Sequence, residues 1–199
     1  FLIAASWANS RSVLDFAAKR ALRIFPALWV STLFSLLIVG PLATGLPLKE
    51  YLLNSQALHY LSNMVLVTQF HLPAVFTDNP FSNTVNGSVW TLPYEVLMYM
   101  SLLVMGLLKV FGRIAVLVLP VALLLVHFYL TPALGLESEI LRKTTRLGMF
   151  FFFGAALYLY RSDLPWNWKV AVSMLALSLV SARTELWLFI HVLTLPYLT

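Results

Sequence analysis

Cysteine is absent from the 199 residues, so neither a disulfide nor a thiolate metal site can hold this segment together. A chain stabilised by burial in lipid needs neither, and the redox compartment stays open. Charge is the next scarcity: Asp, Glu, Lys and Arg make up 11% of the residues, against roughly a quarter in a soluble domain. Apolar residues make up 60% and gather in several blocks long enough to cross a hydrocarbon layer of about 30 Å, which excludes a soluble core that is merely hydrophobic. Acidic residues are scarcest, 8 against 13 basic ones, for a net charge of +5. The basic residues stand at the ends of apolar blocks and not along one face, so they read as topology signals and no nucleic-acid partner is expected. There is no nucleophile elbow, Gly-rich phosphate loop, HExxH or paired-histidine spacing, and no metal is expected.

What is present is a series of apolar blocks. Residues 1–8 read as the last turns of a membrane helix and 9–25 as a polar, basic linker. Residues 26–44 read as a spanning helix opened by Pro26 and closed by Gly45 and Pro47. In residues 51–70 the interruptions Asn54, Gln56, His59, Ser62, Asn63 and Gln69 leave open whether the segment crosses, lies at the interface or packs inside. Turn formers fill 71–87. Residues 89–108, 114–131, 147–160, 170–180 and 186 onward each read as a helix in lipid, the fourth of them short. Runs such as 114–125 lack the alternation of a barrel strand, so the expected fold is an all-α polytopic transmembrane bundle of about six to seven membrane helices. It reads as one membrane domain over 1–199, cut at both ends: the chain opens on Phe1 with no charged leader and closes inside an apolar run. With the first linker inside, the basic residues divide eight inside to five outside whether or not 51–70 crosses. Lys109, Arg113, Arg161 and Lys169 merely exchange sides with Arg142, Lys143, Arg146 and Arg183.

Two places carry chemistry. In Asn86-Gly87-Ser88-Val89-Trp90-Thr91-Leu92-Pro93-Tyr94-Glu95 a loop runs into an apolar helix with a carboxylate inside it. A charge at that depth costs about 3 kcal/mol, so Glu95 is expected to face the bundle interior or a wet cavity. Pro93 places the helix start at Thr91 as N-cap, which sets Glu95 in the first turns near the positive end of the dipole. Ser88 and Trp90 are its expected neighbours, and Trp90 also suits an interfacial anchor. In Arg20-Ala21-Leu22-Arg23 two guanidinium groups three residues apart share a helix face at the membrane surface, a pair suited to phosphate as well as to topology. The histidines His59, His71, His127 and His191 read as packing or interfacial residues. Arg142, Lys143 and Arg146, opposite Glu137 and Glu139, read as a solvated loop face.

Together these stretches resemble acyltransferase family 3, integral membrane acyltransferases that modify surface glycans and related sugars. Arg20-Ala-Leu-Arg23-Ile-Phe-Pro26 is similar to its cytoplasmic RxxR signature. Residues 86–95 are similar to its tryptophan-to-glutamate helix start, and Phe151-Phe-Phe-Gly154-Ala-Ala-Leu-Tyr158 to a later helix. The resemblance implies a multi-pass protein of the bacterial inner membrane that moves an acyl group, acetyl above all, from acyl-CoA to a carbohydrate or glycan hydroxyl, with no permanently bound cofactor. It implies Arg20 and Arg23 as donor-phosphate residues and Glu95, Trp90 and Ser88 as catalytic-core residues. It also implies a catalytic histidine on a helix preceding Phe1, and further C-terminal helices for about ten crossings in all. The rival reading is a transporter or flippase-like carrier, in which Glu95 and the broken segment 51–70 would line a substrate path.

Overall fold

The computed structural model describes residues 1–80, 83–136, 138–184 and 187–198. Glu137, assigned above to a charged loop face, and Leu186, the expected start of the last helix, lie outside the described residues.

In chain order the helices are α1 (Leu2–Ala8), α2 (Val13–Phe34), α3 (Gly40–Ala43), α4 (Leu48–Leu53), α5 (Ser55–His59), α6 (Leu92–Leu107), α7 (Arg113–Leu125), α8 (Thr131–Ala133), α9 (Glu139–Leu159), α10 (Trp168–Ser181) and α11 (Trp187–Leu198). Two π turns, Ser35–Val39 and Val126–Leu130, join α2 to α3 and α7 to α8, and 3₁₀ turns cover Tyr60–Val65 and Gly87–Thr91. Among the described residues the extended pairing is limited to two isolated bridges, Thr44 with Val75 and His71 with Thr84, so the fold is all-α.

Two expected boundaries are corrected. The basic linker is helical from Val13, which puts Pro26 inside α2 and not in its first turn. The Ser12 hydroxyl accepts from Asp15 N at 3.1 Å and the Asp15 carboxylate from Arg11 N at 2.9 Å, a capping arrangement that starts the helix in polar sequence. Likewise α9 begins at Glu139, capped by Ser138 accepting from Leu141 N at 3.1 Å, so Arg142, Lys143 and Arg146 stand on the first turns of a helix and not on a loop.

Three stretches are long and apolar enough to cross a membrane: Val13–Ala43, Gly87–Leu107 and Arg113–Ala133. The helices α10 and α11 are apolar but 14 and 12 residues long, and at 1.5 Å per residue reach only about 21 and 18 Å. Of the six or seven crossings expected, three meet the requirement of length and composition among the described residues. The 31 residues of Val13–Ala43 cover about 46 Å, more than the roughly 30 Å of hydrocarbon, which leaves the charged first turns outside it.

Each π turn ends two residues before a proline, and the proline explains it. Pro41 and Pro132 have no N–H, and their rings crowd the carbonyl one turn back, so the helix widens. Gly40 N–H then reaches back to Ser35 O, and Thr131 N–H to Val126 O.

The chain divides into two compact units, Ala17–Leu97 and Phe1–Phe16 with Met98–Thr199. The first is built on Leu36, Tyr51, Ala57, Tyr60, Leu72 and Val75. Segment 51–70 is not one helix. Asn54 accepts from Gln56 N at 2.9 Å and so ends α4 and starts α5, and no helix there exceeds six residues, about 9 Å, too short to cross. Buried Asn63 ties the segment to the following loop, donating to Gln69 O at 2.9 Å and accepting from Gln69 N at 2.8 Å. Tyr51, fully buried, donates through its hydroxyl to Leu36 O at 2.9 Å. That carbonyl belongs to the π turn: its i+5 partner is Pro41 and its i+4 partner Gly40 donates elsewhere. A Cβ at Gly40 would overlap the Tyr51 hydroxyl, so glycine permits the approach.

In the second unit α7 packs along α9, α10 along α11, and α9 against α1 and α11. Val116, Ala155, Ala156, Tyr158 and Ala4 form one buried cluster, and Met149, Leu188 and Val192 another. Only 17% of the most apolar window of Arg113–Ala133 is buried, so the rest of that surface suits lipid. At one end of the α7–α9 pair Arg113 meets Asp163 at 3.1 Å and lies over the Tyr160 ring, while Trp166 stacks on Tyr197 at 4.8 Å. Basic and aromatic side chains in such a group suit a headgroup layer.

Candidate active site

The first unit holds a cavity of about 320 Å³ with two walls. One is a single face of α2, where Arg23, Ile24, Ala27, Leu28 and Ser31 recur at helical spacing. The other is the entry to α6: Asn86, Ser88, Val89, Leu92 and Glu95. Its volume is of the order of the roughly 300–1,000 Å³ that small-molecule clefts occupy.

The second wall is set by a short local sequence. The Asn86 carbonyl oxygen of the side chain accepts from Ser88 N at 3.1 Å and from the Ser88 hydroxyl at 2.7 Å, opening the 3₁₀ turn Gly87–Thr91. The turn passes into α6 at Leu92, where Pro93 occupies the first turn without loss of a helix bond, and Glu95 stands in that turn as expected. Thr91 holds the position before α6 that was expected of its N-cap, but the capping hydrogen bond belongs to the 3₁₀ turn ahead of it. Thr91 donates its hydroxyl to Ser88 O at 3.2 Å, and capping falls to Asn86, because an asparagine ahead of Gly-Ser reaches the first free N–H groups before Thr91 does. Trp90 packs edge-on against Tyr94, their ring centroids 6.0 Å apart.

The structure thus brings Arg23, Glu95 and Ser88 to one cavity, while Arg20, a turn earlier on α2, and Trp90 stand outside its lining. Ser88 is exposed with its hydroxyl hydrogen on Asn86; Arg20, Trp90 and Glu95 are half-buried and Arg23 is exposed. Asn86 and Ser31 are additions to the sequence-derived set. Helical spacing from Arg23 points to Ser31, and the Asn-Gly-Ser order points to Asn86. A guanidinium, a carboxylate near a helix start and several hydroxyl or amide groups around one void can hold an anionic ligand and polarise a neutral one.

The four histidines lie elsewhere. His59 and His71 are exposed. In the second unit His191 Nδ1 donates to Trp187 O at 2.6 Å and Nε2 accepts from the Ser178 hydroxyl at 3.1 Å, a bond that fastens α10 to α11. His127 Nδ1 stands 2.8 Å from the Thr145 hydroxyl.

With that geometry in place, residues 1–194 match acyltransferase family 3, described as an acyltransferase domain. The chain belongs to this family of transferase enzymes. It is 30% identical over 176 residues to an O-acetyl transferase of Shigella phage Sf6, covering 84% of this chain and 49% of that protein. It is 32% identical over 113 residues to nodulation protein 10 of Rhizobium leguminosarum bv. viciae, covering 51% of this chain and 29% of that protein. The chain therefore spans at most about half the length of these relatives. No solved structure matches it.

Proposed function

We propose that the full-length protein is an O-acyltransferase of the bacterial inner membrane that takes an acyl group, acetyl in the first instance, from acyl-CoA and esterifies a hydroxyl of a sugar or surface glycan. The single observation that carries this reading is the shared cavity of Arg23 and Glu95. Family membership and the likeness to an O-acetyl transferase support the reaction class.

In this reading Arg23 holds a donor phosphate by paired N–H bonds, with Arg20 adding positive charge from the preceding turn. In this reading both stand towards the polar end of α2, where a water-soluble donor can approach. The sugar hydroxyl oxygen attacks the thioester carbonyl carbon, the C–S bond breaks, and the hydroxyl proton passes through a base to the departing thiolate. Glu95 orients that base or balances the charge it gains. Asn86 and Ser88 fix the turn that carries Glu95, and Trp90 packs on Tyr94, the residue before it. The base in this reading is a histidine of the full-length protein outside residues 1–199.

The carrier reading gains nothing from the fold. Segment 51–70 contributes no residue to the lining of this cavity and uses Tyr51, Tyr60 and Asn63 for internal packing.

The test replaces Arg20 and Arg23 together with alanine in the full-length protein and follows CoA release and sugar ester formation. Loss of both products with normal insertion is expected. Wild-type acylation by the double variant would sink the donor-site assignment, and movement of sugar across vesicles without ester formation would favour a carrier.

A further inference from the structure

The second unit has a polar cavity of its own, about 250 Å³, walled by His127, Thr131, Pro132, Glu139 and Arg142. It lies at the opposite end of α7 from Arg113: 14 residues separate Arg113 from His127, about 21 Å along a helix. Nothing in the reaction proposed above uses it.

The backbone beside it carries the same defect as the π turn near Tyr51. There, Pro41 takes the i+5 donor from the Leu36 carbonyl, Gly40 N–H bonds Ser35 O, and the Tyr51 hydroxyl fills the vacancy at 2.9 Å. The equivalent residue in the second turn is His127. Pro132 takes its i+5 donor, and Thr131 N–H bonds Val126 O. The Thr131 hydroxyl also goes to Val126 O, at 2.8 Å. Both backbone donors that a π or α helix would give the His127 carbonyl are thus removed or engaged, and no hydroxyl among the described residues takes the place that Tyr51 takes.

The His127 ring adds a second acceptor. The Thr145 hydroxyl also lies 2.9 and 3.1 Å from Leu141 O and Arg142 O, and when its hydrogen goes to one of them it accepts from His127. With the hydroxyl hydrogen on either carbonyl, Nδ1 carries the ring proton and Nε2 keeps a lone pair. Glu139 is held by Lys143 at 2.6 Å, while Arg142 is exposed and in no ion pair among the described residues.

We propose that this cavity is a sugar subsite, in which ligand hydroxyls donate to the His127 carbonyl and Nε2 and a ligand oxygen accepts from Arg142. Its size, below the range of clefts that hold drug-sized ligands, suits one ring and not an extended chain. The inference rests on the acyltransferase reading only for the class of ligand, a polyhydroxylated one; the donors and acceptors stand independently of it.

The experiment titrates the full-length protein in lipid nanodiscs with glucose, with glycerol as an acyclic control, and with acetyl-CoA in parallel. Glucose binds the wild type and shifts the Nε2 resonance of labelled His127. Pro132→Ala restores an N–H to the His127 carbonyl and relieves the helix, so it folds at least as well yet binds glucose about five- to tenfold more weakly; His127→Phe loses a similar factor. Absence of glucose binding to the wild type, equal binding by wild type and both variants, or glycerol binding as tightly as glucose each overturns the subsite. Acetyl-CoA bound without glucose overturns this inference alone. Glucose bound as described without acetyl-CoA supports it and overturns the donor reading.

Discussion

The π turn at Ser35–Val39 and the one at Val126–Leu130 end at the same distance from a proline, yet the first is closed over by a tyrosine and the second borders a polar cavity. Their local cause is identical, a missing N–H and a crowded ring. Their surroundings differ. Tyr51 and Gly40 were fitted to each other at the first turn, so the stripped carbonyl belongs to a core. Thr131, Glu139 and Arg142 surround the second with side chains of mixed polarity. A helix defect therefore does not by itself announce a site; the two turns differ in whether, among the described residues, a protein group repairs the defect.

Substitutions at the two turns sharpen this contrast. The largest effect is expected for Gly40→Ala, whose Cβ would overlap a buried hydroxyl that cannot retreat without losing its bond, at a cost of about 3 kcal/mol measured by unfolding in detergent. Tyr51→Phe keeps the volume but leaves the Leu36 carbonyl buried and without that donor, about 1–3 kcal/mol. The same variant changes the response to alkali. Burial, and behind it the charge of Tyr60 nearby, pushes the Tyr51 phenol up to about 12 from 10.0. Between those values the unfolded chain has lost a proton that the folded chain keeps, so stability falls as pH rises from about 10 and levels past about 12. Tyr51→Phe makes that fall shallower, with Tyr60, also raised by burial, still contributing.

At the second turn Thr131→Val removes a donor from Val126 O that the Thr131 N–H already serves, so a loss of about 0.5–1 kcal/mol is expected. If it matched Tyr51→Phe, the two turns would be closed alike and the contrast would fail. The smallest effect belongs to Glu139, whose carboxyl is held below the usual range by its hydrogen bond to Lys143 and then by that residue's charge. Its contribution is present above the unfolded carboxylate pKa and fades as pH falls through the folded one; Lys143→Met should flatten the acid limb of a thermal-stability profile slightly.

Much of the site was legible because charge inside apolar sequence is expensive. Glu95 stood out on that ground, Arg23 by its spacing from Arg20 at the membrane surface, and both line the cavity. Arg20 stood out equally but does not line it, since spacing on a helix gives a face and not what packs against it. The all-α fold followed from uninterrupted apolar runs, but those runs set helix ends too late at 26 and 147. In both cases a serine cap starts the helix in polar residues, Ser12 before α2 and Ser138 before α9. Asn54 was read as one polar interruption among several, and its side chain in fact breaks the segment in two. Pro41 and Pro132 passed unremarked in the sequence, and which carbonyl each strips depends on the π register, set only once Gly40 and Thr131 choose their acceptors.

Thr145 belongs to α9 and His127 to the stretch that continues α7, so the hydrogen bond that constrains the imidazole depends on how two rods lie together. A separation of α9 from its neighbour by about an ångström would lengthen that contact past hydrogen-bond range and free the ring to exchange tautomers. Bilayer thickness or a bound lipid that tilts either rod would then alter which nitrogen is basic, with no side chain at the cavity replaced.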